Sequence, residues 1–408
     1  MSTPQVIIVG GGAAGFFAAI TCAEANPAAS VTLLEKSREV LAKVRVSGGG
    51  RCNVTHACFE AREFVTRYPR GHREMIGPLN RFGARDTVDW FLQRGVRLNA
   101  ECDGRMFPLT DKSETIIECL TAAATNAGVK LRTDCGVGQV TRLPAGGFEL
   151  ALTTGETLTC DRLLLAMGGC RAEAVPIVTG LGHTIEPPVP SLFTFNVEVP
   201  WLTGLAGVAV AVVEASVPGT QLTARGPLLV THTGVSGPAI LRLSAWGARD
   251  LHALDYRFPL AINWVPDLGL DEIEAELEFR RTRQPGRLVT NAPLTQIPAR
   301  LWEQLALAAG VARETRWSAL PRAVRQRLVQ QLVATELPVT SKSTNKEEFV
   351  TCGGVRLSEV DFRTMQSRRC PGLYFAGELL DIDGLTGGFN FQAAWTTGWL
   401  AGNALAGV

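Results

Sequence analysis

The first apolar run of the chain, Val6 to Val9, stops at Gly10 and is followed by G-G-A-A-G, and a short continuous apolar stretch bounded by glycine reads as a buried strand. Apolar spacing from Ala13 to about Ala25 then predicts an amphipathic helix, and Val31 to Leu34 a second strand ending in Glu35. Residues 36–55 are basic and glycine-rich and read as a loop, and residues 61–94 are mainly helical in pattern. Asp103 to Pro108 is turn-like, Lys112 to Ala127 is helical, and strands are expected near Lys130 and over Phe148 to Leu152. Leu163 to Met167 is again apolar throughout and runs into Gly168-Gly169, the pattern of a strand covered on both faces. From about Ser191 through Trp264 apolar and polar residues alternate between proline and glycine turns, which predicts β structure; from Leu270 to Leu337 the period becomes helical. The pattern of the N-terminal part returns at about Glu348. The expected architecture is α/β: a discontinuous domain of residues 1–190 and 346–408, with a β-rich subdomain (191–265) and a helical one (266–345) inserted in it.

The glycine spacing gives the first part a chemistry. Gly10 permits a tight turn, Gly12 lets the backbone approach a pyrophosphate, and Gly15 lets the helix pack closely, so the free N–H groups of Ala13 and Ala14 and the positive helix end face the phosphates. Glu35, twenty residues past the last of these glycines, is placed to accept from an adenosine ribose. A lone G-x-G-x-x-G is weak, but a strand before it, a helix after it and an acid at the end of the next strand make a Rossmann-like dinucleotide site. No second such turn is found.

Composition narrows the class only a little. The formal net charge is +1, so the molecule as a whole has no bias toward polyanions. Ten cysteines without a C-x-x-C pair and only five histidines suggest neither a disulfide framework nor a metal site. No charged-then-apolar leader precedes the first strand, and the longest apolar stretch, Leu205 to Val213, is far too short for a membrane span. A soluble, cytoplasmic protein with no membrane partner is expected.

Several long strings extend the picture: S-G-G-G-R-C-N-V-T (Ser47 to Thr55), D-G-R-M-F-P (Asp103 to Pro108), T-H-T-G-V-S-G-P-A-I-L (Thr231 to Leu241), T-C-G-G-V (Thr351 to Val355) and G-E-L-L-D-I-D-G-L-T-G-G-F-N-F-Q (Gly377 to Gln392). With these the chain resembles the BaiN-like and YhiN-like bacterial flavoproteins. It departs from them at His56, where asparagine is common, at Met167, where threonine is, and in a shorter stretch after Cys170. The resemblance implies FAD as cofactor, held by Gly10, Gly12, Ala13, Ala14 and Gly15 at the pyrophosphate and by Glu35 at the ribose. Lys43, Ser47, Gly48, Gly49, Gly50, Arg51 and Cys52 would border the ribityl and isoalloxazine side, with the Gly168 turn beneath. Gly377 and Glu378 would meet a sugar or ribityl hydroxyl, and Gly388, Phe389 and Asn390 would open a last helix toward the flavin N1–C2=O edge, whose negative charge on reduction a helix N-terminus stabilises. With only one dinucleotide turn, NADPH or NADH would dock transiently as electron donor, or another reductant would serve.

By the same resemblance the reaction is reduction of an activated carbon–carbon double bond, either uridine in large-subunit ribosomal RNA or a small-molecule enone. A hydride leaves flavin N5 for the β-carbon, and a general acid protonates the α-carbon. Proton-donor candidates are Cys52, Arg105, His232 and, more weakly, His56; Arg51 and Arg105 suit anion or carbonyl binding better, since guanidinium scarcely gives up a proton. From Phe279 to Ala334 ten arginines stand against only Glu303 and Glu314, with Trp302 and Trp317 interleaved. Arg280, Arg281, Arg283, Arg287, Arg322, Arg325 and Arg327 are accordingly candidate RNA contacts. Against RNA contact stands a solvated helical face with both tryptophans in the subdomain core, and against an enzyme stands a flavin-bound RNA- or ribosome-binding protein with little turnover.

Overall fold

In the computed structural model, which describes residues 3–170, 172–343 and 350–407, the chain divides into two compact units: residues 1–190 with 346–408, and residues 191–345. The expected return of the N-terminal pattern near Glu348 lies outside the described residues.

The first unit is built on a seven-stranded sheet. Five strands are parallel, in the order Lys130–Arg132, Ser30–Leu34, Gln5–Val9, Arg162–Leu165, Leu373–Phe375; the short antiparallel strands Gln366–Ser367 and Val360–Asp361 complete one edge. Parallel neighbours need crossovers, and covering both faces explains why the central strands are uniformly apolar rather than alternating. The helix Ala13–Ala25 crosses from the first strand to the second. It is not amphipathic as its spacing suggests: every residue from Ala14 to Ala23 is buried. The reason is the last helix, Phe389–Ala406, which packs along it with Gly398 against Ala14 O and Gly402 against Ala18 O; a Cβ on either glycine would come within 2.6 Å of those carbonyls.

Two small antiparallel sheets flank this core. One pairs Thr55–His56 with Arg105–Pro108 and that strand with Leu98–Ala100; the other is a meander of Val137–Arg142, Phe148–Leu152 and Thr157–Cys160. The D-G-R-M-F-P string is therefore a turn at Asp103 and Gly104 leading into the four-residue strand Arg105–Pro108. Residues 36–55 are likewise not all loop: Ala42–Gly50 is a helix broken at Ser47, Gly48 and Gly49, whose φ/ψ values leave the helical region.

The second unit is a closed antiparallel barrel in the order Phe195–Val197, Gly234–Ser236, Thr223–Val230, Ala209–Ser216, Phe258–Asn263, Thr335–Lys342. Closure removes exposed sheet edges. The helices Leu270–Arg283, Ala299–Ala308 and Arg322–Val333 form the connection between the last two barrel strands. The helical segment ends sooner than periodicity implied, because Thr335–Lys342 alternates buried and exposed residues and seals the barrel. Trp264, Trp302 and Trp317 are fully buried, so the two interleaved tryptophans belong to the core and are not available to stack on bases. No helix among the described residues is long and apolar enough to cross a membrane.

Candidate active site

Parallel strands send their carboxyl ends to one edge of a sheet, and the residues that follow them converge there. Gly10 follows Val9, Glu35 follows Leu34, Gly168 comes three residues after Leu165, and Gly377 two after Phe375. Four stretches distant in sequence thus meet along one line.

At its first point the glycine turn is fixed by contact. A Cβ on Gly15 would lie 1.9 Å from Gly10 O, and one on Gly10 would lie 2.3 Å from Ala166 O. A Cβ on Gly12, by contrast, would meet nothing within 4 Å, and no side chain caps the helix that this residue opens. Open space against uncapped N–H groups suits a pyrophosphate. Glu35 supports the turn: Oε2 accepts from Gly11 N–H (2.8 Å), and Oε1 accepts from Ser37 N–H (2.9 Å) and Ser37 Oγ–H (2.7 Å). Carboxylate oxygens can accept further bonds, so this arrangement still fits a ribose hydroxyl.

Further along, Lys43 forms an ion pair with Glu378, whose other oxygen accepts from Thr351 N–H (3.1 Å). Gly377 N–H donates to Thr397 Oγ1 (2.9 Å) on the last helix. Gly49, Gly50 and Gly168 hold positive φ (70°, 83° and 77°), and a Cβ on any of them would meet nothing within 4 Å, so they border open space much as Gly12 does. At the far point Gly388, with φ 92°, opens the last helix uncapped, and a Cβ there would fall 2.4 Å from Thr55 O. Gly12, Gly49, Gly50 and Gly168, together with the uncapped starts of the first and last helices, form a cradle that fits an extended dinucleotide such as FAD.

Other expected residues are placed differently. Phe389 is buried, stacked on His56 (centroids 4.7 Å apart) and edge-on to Phe64, while Tyr68 Oη–H donates to Phe389 O (2.6 Å). The Asn390 side chain is used locally, accepting from Gly384 N–H and donating to Gly384 O, both at 2.8 Å. At this helix start the backbone, rather than these two side chains, is what a ligand could meet. Arg51 lies 3.9 Å over the Phe107 ring and pairs with Glu101 (2.7 Å); Arg105 pairs with Asp103 (2.7 Å) and Glu101 (2.8 Å). Two acids thus hold Arg105 in a salt-bridge network, which argues against it as a proton donor. Cys52 is completely buried, and burial pushes its thiol up to about 12, which makes it a poor acid; its left-handed backbone (φ 61°) turns the side chain inward. His56 Nδ1 lies 3.0 Å from Gly387 O, which can only accept, so Nδ1 carries the proton; burial lowers the ring's affinity for a second one. His232 is exposed on the barrel unit, in the turn between two of its strands.

Sequence reading missed the polar residues that hold this edge together. Gln392 Oε1 accepts from Thr55 Oγ1 (2.6 Å) and Thr87 Oγ1 (3.0 Å), and all three side chains are buried. Arg70 and the fully buried Asp383 form an ion pair that pins the loop before the last helix. Burial is the only signal for these, and a single sequence does not display it.

The arginine-rich segment is also reorganised. Arg280 pairs with Glu276, and both Arg281 and Arg325 pair with Glu278. The apparent excess of positive charge after Phe279 arises because these acids lie just before it on the same helix. Arg280 also donates to Ala292 O and Pro293 O, and Arg327 donates to Ala309 O. Arg280, Arg281 and Arg325 are thus paired with glutamates rather than left as free RNA contacts.

A doubly covered parallel sheet with a glycine-lined dinucleotide cradle at its carboxyl edge defines the class: an FAD-dependent oxidoreductase of the Rossmann type. The chain belongs to the HI0933-like protein Rossmann domain family, which matches residues 4–404. It is 28% identical to the 3-dehydro-bile acid delta(4,6)-reductase of Clostridium scindens, covering 98% of this chain and 99% of that protein. To the ribosomal RNA dihydrouridine synthase of Escherichia coli it is 30% identical, over 97% of this chain and 96% of the relative. Among solved structures, a 3-ketosteroid-delta4-(5alpha)-dehydrogenase from Rhodococcus jostii superposes with a TM-score of 0.53 at 14% identity, covering 100% of this chain and 98% of that one, which is a likeness of fold.

Proposed function

We propose that this protein is an FAD-dependent reductase of activated carbon–carbon double bonds, and that its substrate is uridine in ribosomal RNA. The glycine-lined cradle supports the cofactor; the 30% identity over nearly full length to a ribosomal RNA dihydrouridine synthase supports the substrate. FAD, when bound, supplies hydride from N5. Gly12, Ala13, Ala14 and Gly15 would hold its pyrophosphate through backbone N–H groups, with Gly10, whose own N–H donates to Leu34 O, shaping the turn, and Glu35 would accept from the ribose. Lys43, in its ion pair, would hold the Glu378 carboxylate for sugar hydroxyls, and Gly49, Gly50 and Gly168, which border open space, would leave room for the ring system. The backbone N–H groups of Phe389 and Asn390 at the start of the last helix would stabilise negative charge brought against them. NADPH or NADH serves as electron donor by docking transiently, and the reaction takes place in the cytoplasm.

The test is nucleoside mass spectrometry of ribosomal RNA from a strain lacking the protein, its parent and a complemented strain. Loss of dihydrouridine that returns on complementation supports the reading. An unchanged level refutes the substrate, and the second reading, a small-molecule enone favoured by the 28% identity to a bile acid reductase, then leads. A nicotinamide cofactor that fails to bleach bound flavin anaerobically points instead to an RNA-binding flavoprotein with little turnover.

A further inference from the structure

We infer that Arg283, Arg287, Arg316 and Arg322 form a docking surface for the phosphate backbone of RNA at one end of the helical segment, a surface whose purpose rests on the ribosomal RNA reading above. The chain brings them together through three links. The stretch after Leu270–Arg283 meets the one before Arg322–Val333, with a bridge between Leu288 and Arg316, Trp317 N–H donating to Arg287 O (3.0 Å) and Ser318 N–H to Pro285 O (3.1 Å). Arg316 Nη1 donates to Gly286 O (2.8 Å). The shared Glu278 partner of Arg281 and Arg325 sets the first turn of Arg322–Val333 beside the last turns of Leu270–Arg283, and Arg322 lies one turn ahead of Arg325 on the same face.

Pairing with glutamate accounts for some arginines of the segment but not for these. Glu276 and Glu278 neutralise Arg280, Arg281 and Arg325. The partners of Arg287 are Asn291 O and Gln284 Oε1, and that of Arg316 is Gly286 O; these neutral acceptors orient a guanidinium without cancelling its charge. Arg283 at the carboxyl end of its helix suits the helix dipole, but Arg322 stands in the first turn of Arg322–Val333, where a cation is unfavourable and no acid accompanies it. Stability therefore does not explain Arg322. All four residues are exposed. Guanidinium forks match phosphate oxygens, and because Trp302 and Trp317 are buried the surface reads backbone rather than stacked bases.

Fluorescence anisotropy with labelled ribosomal RNA transcript tests this on the full-length flavoprotein. The variant is Arg283→Gln, Arg287→Gln, Arg316→Gln and Arg322→Gln combined; a charge-matched control carries Arg62→Gln, Arg73→Gln, Arg97→Gln and Arg257→Gln. The fourfold variant is expected to bind at least about tenfold more weakly at low salt, with the slope of log K against log salt reduced by about 3, while the control keeps both values. Its flavin content and melting temperature should match those of the wild type, which excludes misfolding. Equal affinity and slope for variant and control, or wild-type binding that does not depend on salt, overturns the inference. Polyglutamate that displaces the transcript as well as unlabelled RNA does also overturns it, in favour of an acidic protein partner. Dihydrouridine that persists in the strain lacking the protein refutes the substrate reading alone, since the contrast in salt slope is measured independently of turnover.

Discussion

Replacing Gln392 by leucine tests whether the start of the last helix is held by buried hydrogen bonds or by packing alone. Leucine keeps most of the volume and removes the amide. Thr55 Oγ1 then loses its acceptor at 2.6 Å, while Thr87 Oγ1 loses one at 3.0 Å but retains Gly83 O at 3.2 Å. Thr396 Oγ1 keeps Phe82 O at 2.8 Å and loses only the donor Gln392 Nε2. One fully orphaned buried hydroxyl costs about 1–3 kcal/mol and one weakened bond about 0.5–1.5 kcal/mol, so a loss of about 2–4 kcal/mol is expected. Urea unfolding followed by tryptophan fluorescence and circular dichroism measures it. Adding Thr55→Val should recover part of the loss, because removing both partners of a buried bond is far cheaper than removing one. A loss under about 1 kcal/mol, or strictly additive effects of the two substitutions, refutes the reasoning.

Three further outcomes follow from the geometry. Gly12→Ala meets open space at an ordinary φ of −92° and should fold normally yet purify with little FAD, whereas Gly15→Ala drives a Cβ to 1.9 Å from Gly10 O and should not fold; flavin absorbance and thermal melting separate the two. Asp383→Asn leaves the Arg70 guanidinium, whose side chain is 15% exposed, facing a neutral partner and should cost about 3 kcal/mol in denaturant titration, with a loss below about 1 kcal/mol counting against the ion pair's role. His183 is buried, with Nε2 2.7 Å from Ser367 Oγ, and burial lowers its pKa below the ordinary 6.5. Since the unfolded chain binds the proton more readily, the stabilisation is present above 6.5 and is lost as pH falls through the lower folded value; His183→Gln should flatten the fall in melting temperature below 6.5, and an unchanged slope would remove His183 as its source.

What the sequence determined by itself was the part of the site made by backbone. Gly10 and Gly15 announce their geometry because only glycine permits so close an approach to a backbone carbonyl, where a Cβ would fall at 2.3 Å and 1.9 Å, and an acid at the end of the next strand is a local relation that spacing preserves. The central strands were legible because a strand covered on both faces has to be apolar throughout. Tertiary structure decided the rest. The first helix looked amphipathic and is buried all round, since the last helix, from the other end of the sequence, covers its outer side. Thr335 to Leu337 continued a helical period on paper and became the start of the strand Thr335–Lys342 because the barrel needed closing. Cys52, Arg105 and Asn390 carry the right chemical groups, but whether a group is free depends on neighbours brought from elsewhere: here a closed core, two acids and the Gly384 backbone. The same holds for the arginines, whose charge in sequence is a count and in the fold is a matter of which glutamate each one reaches.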